Sequence, residues 1–250
     1  MELLGEVWDC ATSRQPAPSP ATILLCALIA LLLVALPTTW RAVRMLVTIT
    51  HEGAHGVVAL LTGRRLHGIR LNADTSGLTV SSGPPRGPGM VATLAAGYLG
   101  PAIVGLGATA LLLAGYALGV LWALVLLLAL LLVQIRNLYG LAVVVGSALV
   151  LVGLSWYMPA SAQSTLAYVL TWVLLIAAPK PVLELARQRR RGTLRSSDAD
   201  QLARLTRVPA SGWIGLFLVA NLAGLVLAAV WLLPGITKAA GSWLGGLVLD

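Results

Sequence analysis

Runs of Leu, Ala and Val recur along this chain at about 20 residues each, the length that crosses a lipid bilayer, and they leave little room for any other architecture. They occupy residues 21–36, 41–63, 90–115, 117–135, 138–157, 165–180 and 213–233. A soluble domain carries about a quarter of its residues as Asp, Glu, Lys and Arg. Here the charged share is 10%, against 58% hydrophobic, which excludes an ordinary soluble fold. The expectation is an all-α polytopic membrane protein with about seven transmembrane helices.

The segments between these runs complete the organisation. Residues 1–20, with the Pro/Ser/Ala-rich piece Gln15 to Pro20, read as a flexible tail, and 21–233 as one integral-membrane domain. Pro37 to Trp40 reads as a bend with Trp40 as an interfacial anchor. Within 64–89, the runs Leu66 to Leu71 and Gly77 to Ser81 flank the polar turn Asn72 to Ser76 and predict a small β-hairpin. A Gly/Pro-rich connector follows, Gly83 to Gly89. Residues 181–211 form a basic cytoplasmic segment, and 234–250 a short C-terminal tail.

The net charge of +8 raises the question of nucleic acid. The cations lie in loops between apolar spans, so they read as a topology signal and no nucleic-acid partner is expected. With the N-terminus cytoplasmic, fourteen of the 17 Lys and Arg residues fall on the cytoplasmic side, leaving Arg41, Arg44 and Lys238 on the other. Cys10 and Cys26 have neither the number nor the spacing of a metal knuckle or a disulfide framework.

Inside the second apolar run stands His51-Glu52-Gly53-Ala54-His55. Residues i and i+4 share a helix face, so both imidazoles can address one metal ion. Glu52, beside the first ligand, can act as a base without ligating. Two of the chain's three histidines fall in this motif, and an ionisable group at membrane depth is costly enough to mark function. The donor set favours zinc. Paired core histidines with a neutralised Glu52 would explain each residue singly, but not the spacing.

Catalytic zinc usually takes a third protein ligand. The position six residues after His55 is Leu61, which rules out the extended three-histidine pattern. Glu184 is the downstream glutamate, and His67, Asp74, Asp198 and Asp200 are the other choices. Asp198 also reads as a helix N-cap. Asn137, beside Arg136 between two apolar runs, is a candidate for hydrogen bonding to a substrate backbone or for capping a helix.

With these residues the chain resembles the site-2 protease family of intramembrane zinc metalloproteases, in a divergent compact bacterial branch without a PDZ domain. His51-Glu52-Gly53-Ala54-His55, the hairpin after it and a distant aspartate carry the resemblance, over about residues 40–230. The family's third ligand is an aspartate, usually in an Asn-Pro-x-x-Asp-Gly setting, and this chain has no Asp-Gly pair. The stretch Ser197-Asp198-Ala199-Asp200-Gln201-Leu202-Ala203 is similar to the corresponding motif of a divergent branch. The resemblance therefore implies Asp198 as third ligand, with Asp200 the alternative, and Glu52 as the catalytic base.

The resulting expectation is a zinc metalloendopeptidase in the bacterial cell membrane. It would hydrolyse a peptide bond within or near a transmembrane segment of a membrane-protein substrate. Such a segment must unwind to expose its carbonyls, and the hairpin edge is a place to hold it as an added strand. The contrasting expectation is a non-proteolytic membrane scaffold or transport component that retains a zinc site. The basic segment 187–207 also suits anionic lipid headgroups of the bilayer or a cytosolic partner.

Overall fold

In the computed structural model, which describes residues 2–192 and 196–234, every apolar run becomes a helix. These are α2 Pro20–Ala35, α3 Pro37–Leu61, α4 Pro88–Leu113, α5 Ala117–Leu132, α6 Leu138–Tyr157, α7 Ala160–Ala177 and α10 Ala210–Leu232. Two further helices, α8 Pro179–Arg190 and α9 Asp198–Leu205, lie in the basic segment. Arg195, Lys238 and the expected tail beyond residue 234 lie outside the described residues.

The first helix, α1 Glu2–Thr12, corrects the expectation of a loose N-terminal tail. The segment is tied down by Gln15, whose backbone N–H donates to the Gly115 carbonyl at 2.8 Å. Its side-chain Oε1 accepts from the Leu118 N–H at 3.0 Å, so the tail is fastened to the turn between α4 and α5.

The span count also changes. Among the described residues, four stretches are long and apolar enough to cross a membrane: α4, α6, α7 continued through α8 to Arg190, and α10. A fifth arises only if α2 and α3 are one span, and these meet at 99°. Pro37 causes the break, because a proline disfavours helical backbone in the residue before it, and Leu36 is extended at φ −71°, ψ 130°. At about 1.5 Å rise per residue, the 16-residue α5 is only about 24 Å long, short of the roughly 30 Å hydrocarbon core. Seven separate crossings are therefore not supported.

The bend has a second consequence. Lys180 Nζ donates to the Val34 carbonyl at 2.5 Å, and Arg44 pairs with Glu184 at 2.6 Å. Residues that the charge count assigned to opposite faces of the membrane are thus neighbours, and that count loses the separation on which it rested.

Lipid tails are as apolar as Leu, so close backbone approach rather than hydrophobicity drives helix packing in a bilayer. Helix α4 illustrates this. A Cβ on Gly100 would lie 2.7 Å from Ala54 Cβ on α3, and one on Gly105 would lie 2.8 Å from Leu175 Cγ on α7. Three buried clusters result. One joins α2 to α7 around Cys26 and Trp172. Another joins α3, α5 and α6 to the hairpin through Ile49, Ile69, Leu131 and Val144. The third seats α8 and α9 against α4 and α10 through Val182, Leu202 and Phe217.

The hairpin forms as expected, β1 Arg65–Leu71 paired antiparallel with β2 Gly77–Ser82. The outer edge of β1 is occupied: Ile69 N–H donates to Gln134 O at 2.7 Å and Arg136 N–H to Ile69 O at 2.9 Å. No described strand flanks β2 on its outer side.

Candidate metal centre

One turn of α3 presents His51 and His55 to the same side, and their Nε2 atoms stand 3.0 Å apart. Asp198, the first residue of α9, brings Oδ2 to 3.3 Å from each of them. The three side chains form a group whose potential ligand atoms all lie within 4.8 Å of one another. A tetrahedral ion with bonds of about 2.0 Å needs ligand–ligand edges of about 3.3 Å, which is the triangle found.

The capping chemistry of α9 explains why Asp198 is free for this. Ser197 is the N-cap, and its hydroxyl accepts the Asp200 N–H at 3.2 Å. Asp200 closes the box by accepting the Ser197 N–H at 3.1 Å, and it also pairs with Arg189. Asp198 therefore sits one place beyond the cap, with its carboxylate turned away from its own helix. Burial pushes the Asp200 carboxyl up, but the Ser197 hydrogen bonds and the Arg189 guanidinium outweigh this and hold it below the ordinary range. Ala199 and Leu202, both fully buried, anchor α9 beneath the site.

These groups need a proton or a metal ion between them. His55 Nδ1 lies 2.6 Å from the Thr93 carbonyl, which can only accept, so Nδ1 carries a proton. In the neutral ring that leaves the Nε2 lone pair facing a carboxylate and a second imidazole. Lone pair against carboxylate is repulsive unless a proton or a metal ion lies between. A histidine with its far nitrogen held by a backbone carbonyl is the usual support of a metal ligand. The residues present fit a divalent ion of the zinc type.

Glu52 is buried beside this triad. The Thr79 hydroxyl of β2 lies 2.6 Å from Glu52 Oε2 and 3.0 Å from its backbone carbonyl. The hairpin thus aims the carboxylate. Gly77 makes room for it, since a Cβ there would be 2.5 Å from Glu52 Cγ. On the opposite wall, a Cβ on Gly97 of α4 would collide with His55 Nε2 and sit 2.6 Å from His51 Cε1. Tyr98 meets the His51 ring edge-on at 4.8 Å and stacks on Phe217 at 5.2 Å. Pro101 interrupts the hydrogen-bond ladder of α4 in this region, and buried Asn221 of α10 donates to the Tyr98 carbonyl at 3.1 Å.

All of this opens into one cavity of about 700 Å³, walled by α3, β2, α4, α8 and α9, with Arg44 and buried Arg64 among its lining residues. The remaining candidates lie elsewhere. His67 is on the exposed face of β1, 2.7 Å from the Ser82 hydroxyl. Asp74 caps the hairpin turn, where hydrogen bonds from Ser76 hold its carboxyl below the ordinary range. Glu184 is on the cavity wall, bound by Arg44 and the Trp40 indole. Asn137 spends both amide groups on Leu71, accepting from its N–H at 3.2 Å and donating to its carbonyl at 2.7 Å. It stitches the α5–α6 turn to β1 and makes no side-chain cap.

With the site in view, comparison with known families gives one result: a family model described as Peptidase M50B-like matches residues 24–228. The chain belongs to this family. It is the site-2 protease group, a family of metallopeptidases, and the match takes in the histidine motif, the hairpin and Asp198 together. No curated protein and no solved structure matches the chain. Within this M50B-like chain, Thr79, Gly77, Gly97, Thr93 and Asn221 went unmarked by the sequence pattern. Thr79 and Gly77 had a partial signal, as residues of the strand predicted beside the motif.

Proposed function

We propose that this protein is a zinc-dependent endopeptidase of the cell membrane that cleaves a membrane-protein substrate within or near a transmembrane segment. The observation that carries the proposal is the convergence of His51, His55 and Asp198 on one point beside a buried, hydrogen-bonded Glu52. A purely structural metal site has no use for that second carboxylate.

His51 Nε2, His55 Nε2 and an Asp198 oxygen would hold the zinc ion. When bound, zinc supplies Lewis acidity, polarising a scissile carbonyl and lowering the pKa of water towards about 7. Glu52 accepts the proton of the attacking water on its carboxylate and delivers it to the departing amine nitrogen. Thr79 keeps Oε2 oriented for both transfers. Thr93 fixes the tautomer of His55 and Gly97 lets both rings lie flush against α4.

The substrate enters as an unwound strand, because helical carbonyls are already hydrogen-bonded. The open edge of β2 runs along the cavity from Gly77 to Ser81 and suits such a segment by strand addition. With Asn137 occupied by Leu71, the strand edge rather than that amide is the substrate contact.

The test is Glu52→Gln in the detergent-purified full chain, measuring bound zinc and cleavage of a transmembrane reporter. Retained zinc with cleavage reduced by roughly a hundredfold or more is expected for loss of a general base. Undiminished cleavage would refute the assignment of Glu52. Zinc binding without cleavage by the wild type across a panel of reporters would favour the scaffold instead.

A further inference from the structure

A second depression lies outside the catalytic cavity, where α2, α7 and α8 meet. Its volume is about 310 Å³, at the lower end for small-molecule sites. Leu31 and Val34 of α2, Ile176 of α7 and Leu183 of α8 make its walls apolar. Two cations stand at its rim, Lys180 and Arg187. The residues 180, 183 and 187 follow helical spacing, so Lys180, Leu183 and Arg187 form one stripe along α8.

We propose that this groove binds one anionic phospholipid, with its phosphate on Lys180 and Arg187 and part of an acyl chain against Leu31, Ile176 and Leu183. The proposal is independent of the protease reading. Three observations point to a lipid. First, the level is right: Lys180 lies 3.8 Å over the Trp40 ring, and tryptophan and lysine together mark the headgroup region. Second, the charge is complementary and not already spent. Lys180 has given one of its three donors to the Val34 carbonyl. Arg187 is exposed on the last turn of α8. The acidic neighbour, Glu184, is engaged by Arg44 and the Trp40 indole. Third, the apolar walls distinguish this place from the rest of the basic surface. Arg190 and Arg191 are equally exposed but do not line the groove. A basic pocket between membrane helices is a recognised kind of headgroup site.

Binding here would join the lipid to a continuous chain of contacts, from Lys180 through Trp40 and Glu184 to Arg44 in the wall of the catalytic cavity.

The experiment measures retention of dioleoyl phosphatidylglycerol by the full chain in native mass spectrometry, after exchange from nanodiscs containing equal phosphatidylglycerol and phosphatidylcholine. The variants are Arg187→Gln, Lys180→Gln and, as control, Arg190→Gln. Because Lys180 also supports the α2–α3 bend, exposed Arg187 is the deciding position. The expected result is preferential retention of phosphatidylglycerol, lowered roughly fivefold by Arg187→Gln and unchanged by Arg190→Gln. Equal retention in wild type and Arg187→Gln would overturn the proposal. So would an equal loss in Arg190→Gln, which would indicate a diffuse basic surface. Displacement of the lipid by millimolar inorganic phosphate would also overturn it, since the groove would then recognise an anion and not a lipid.

Discussion

Replacing Gly97 by alanine tests the metal centre through a residue that is not itself a ligand. The added methyl would overlap His55 Nε2 and lie 2.6 Å from both His51 Cε1 and His55 Cε1. Ordinary carbon contacts are about 3.5–4.0 Å, so roughly 1 Å must be recovered. His55 cannot yield easily, because its Nδ1–H is held by the Thr93 carbonyl. Helix α4 cannot retreat easily either, because Gly100, one turn further on, already lies against Ala54 and Thr50 of α3. His51 must therefore turn out of the triangle. Overpacking of this kind costs about 1–3 kcal/mol of stability, and a misoriented ligand costs about 10- to 100-fold in metal affinity. Chelator competition for zinc, alongside thermal unfolding of the zinc-loaded protein, reads both. Gly107→Ala is the control on the same helix, since nothing lies within 4 Å of a Cβ there. It should be neutral or slightly stabilising, as expected for glycine to alanine in a helix. Wild-type zinc affinity in Gly97→Ala would refute the packing argument.

Two further outcomes follow from the geometry. Thr79→Val keeps the strand and its volume but removes the hydrogen bond to Glu52, a charge-assisted contact worth about 1.5–3 kcal/mol. Cleavage should fall by roughly ten- to a hundredfold with zinc content unchanged; a loss of zinc instead would mean that Thr79 supports the ligands. Asp200→Asn should destabilise the α8–α9 junction by no more than about 1 kcal/mol at neutral pH, because the Arg189 pair is half-exposed. The folded-state pKa of Asp200 is lowered, so its contribution is complete above its unfolded value of about 3.9 and disappears as pH falls through the lower folded value. The gap between wild type and variant in thermal unfolding should thus close only in acid. A gap that persists there would rule out an ionic origin.

Much of this architecture is legible in the sequence, and what is not has physical causes. The apolar runs locate the seven longest helices within a few residues, because hydrophobicity over a bilayer length is a strong signal. It does not report a bend. The break at Leu36–Pro37, by which α2 and α3 fail to be two simple crossings, depends on where each helix packs. The hairpin boundaries follow from alternation and turn residues. Asp198 could be favoured over Asp200 only by resemblance, since both sit in the same polar stretch. Capping separates them, because Ser197 and Asp200 satisfy each other and leave Asp198 free. Asn137 reads first as a helix cap and only second as a substrate ligand, yet its partner is Leu71, 66 residues away, and no local pattern encodes that pairing. Gly97 and Gly77 are only small residues until their neighbours are known to be imidazoles and a carboxylate.

The central claim is that His51, His55 and Asp198 hold one zinc ion. The most direct measurement is the metal content of the detergent-purified protein, wild type beside Asp198→Ala, Asp200→Ala and His67→Ala. About one zinc per chain is expected in wild type, lost or sharply weakened in Asp198→Ala and retained in the other two. Full zinc in Asp198→Ala, or no zinc in metal-replete wild type, would contradict the account.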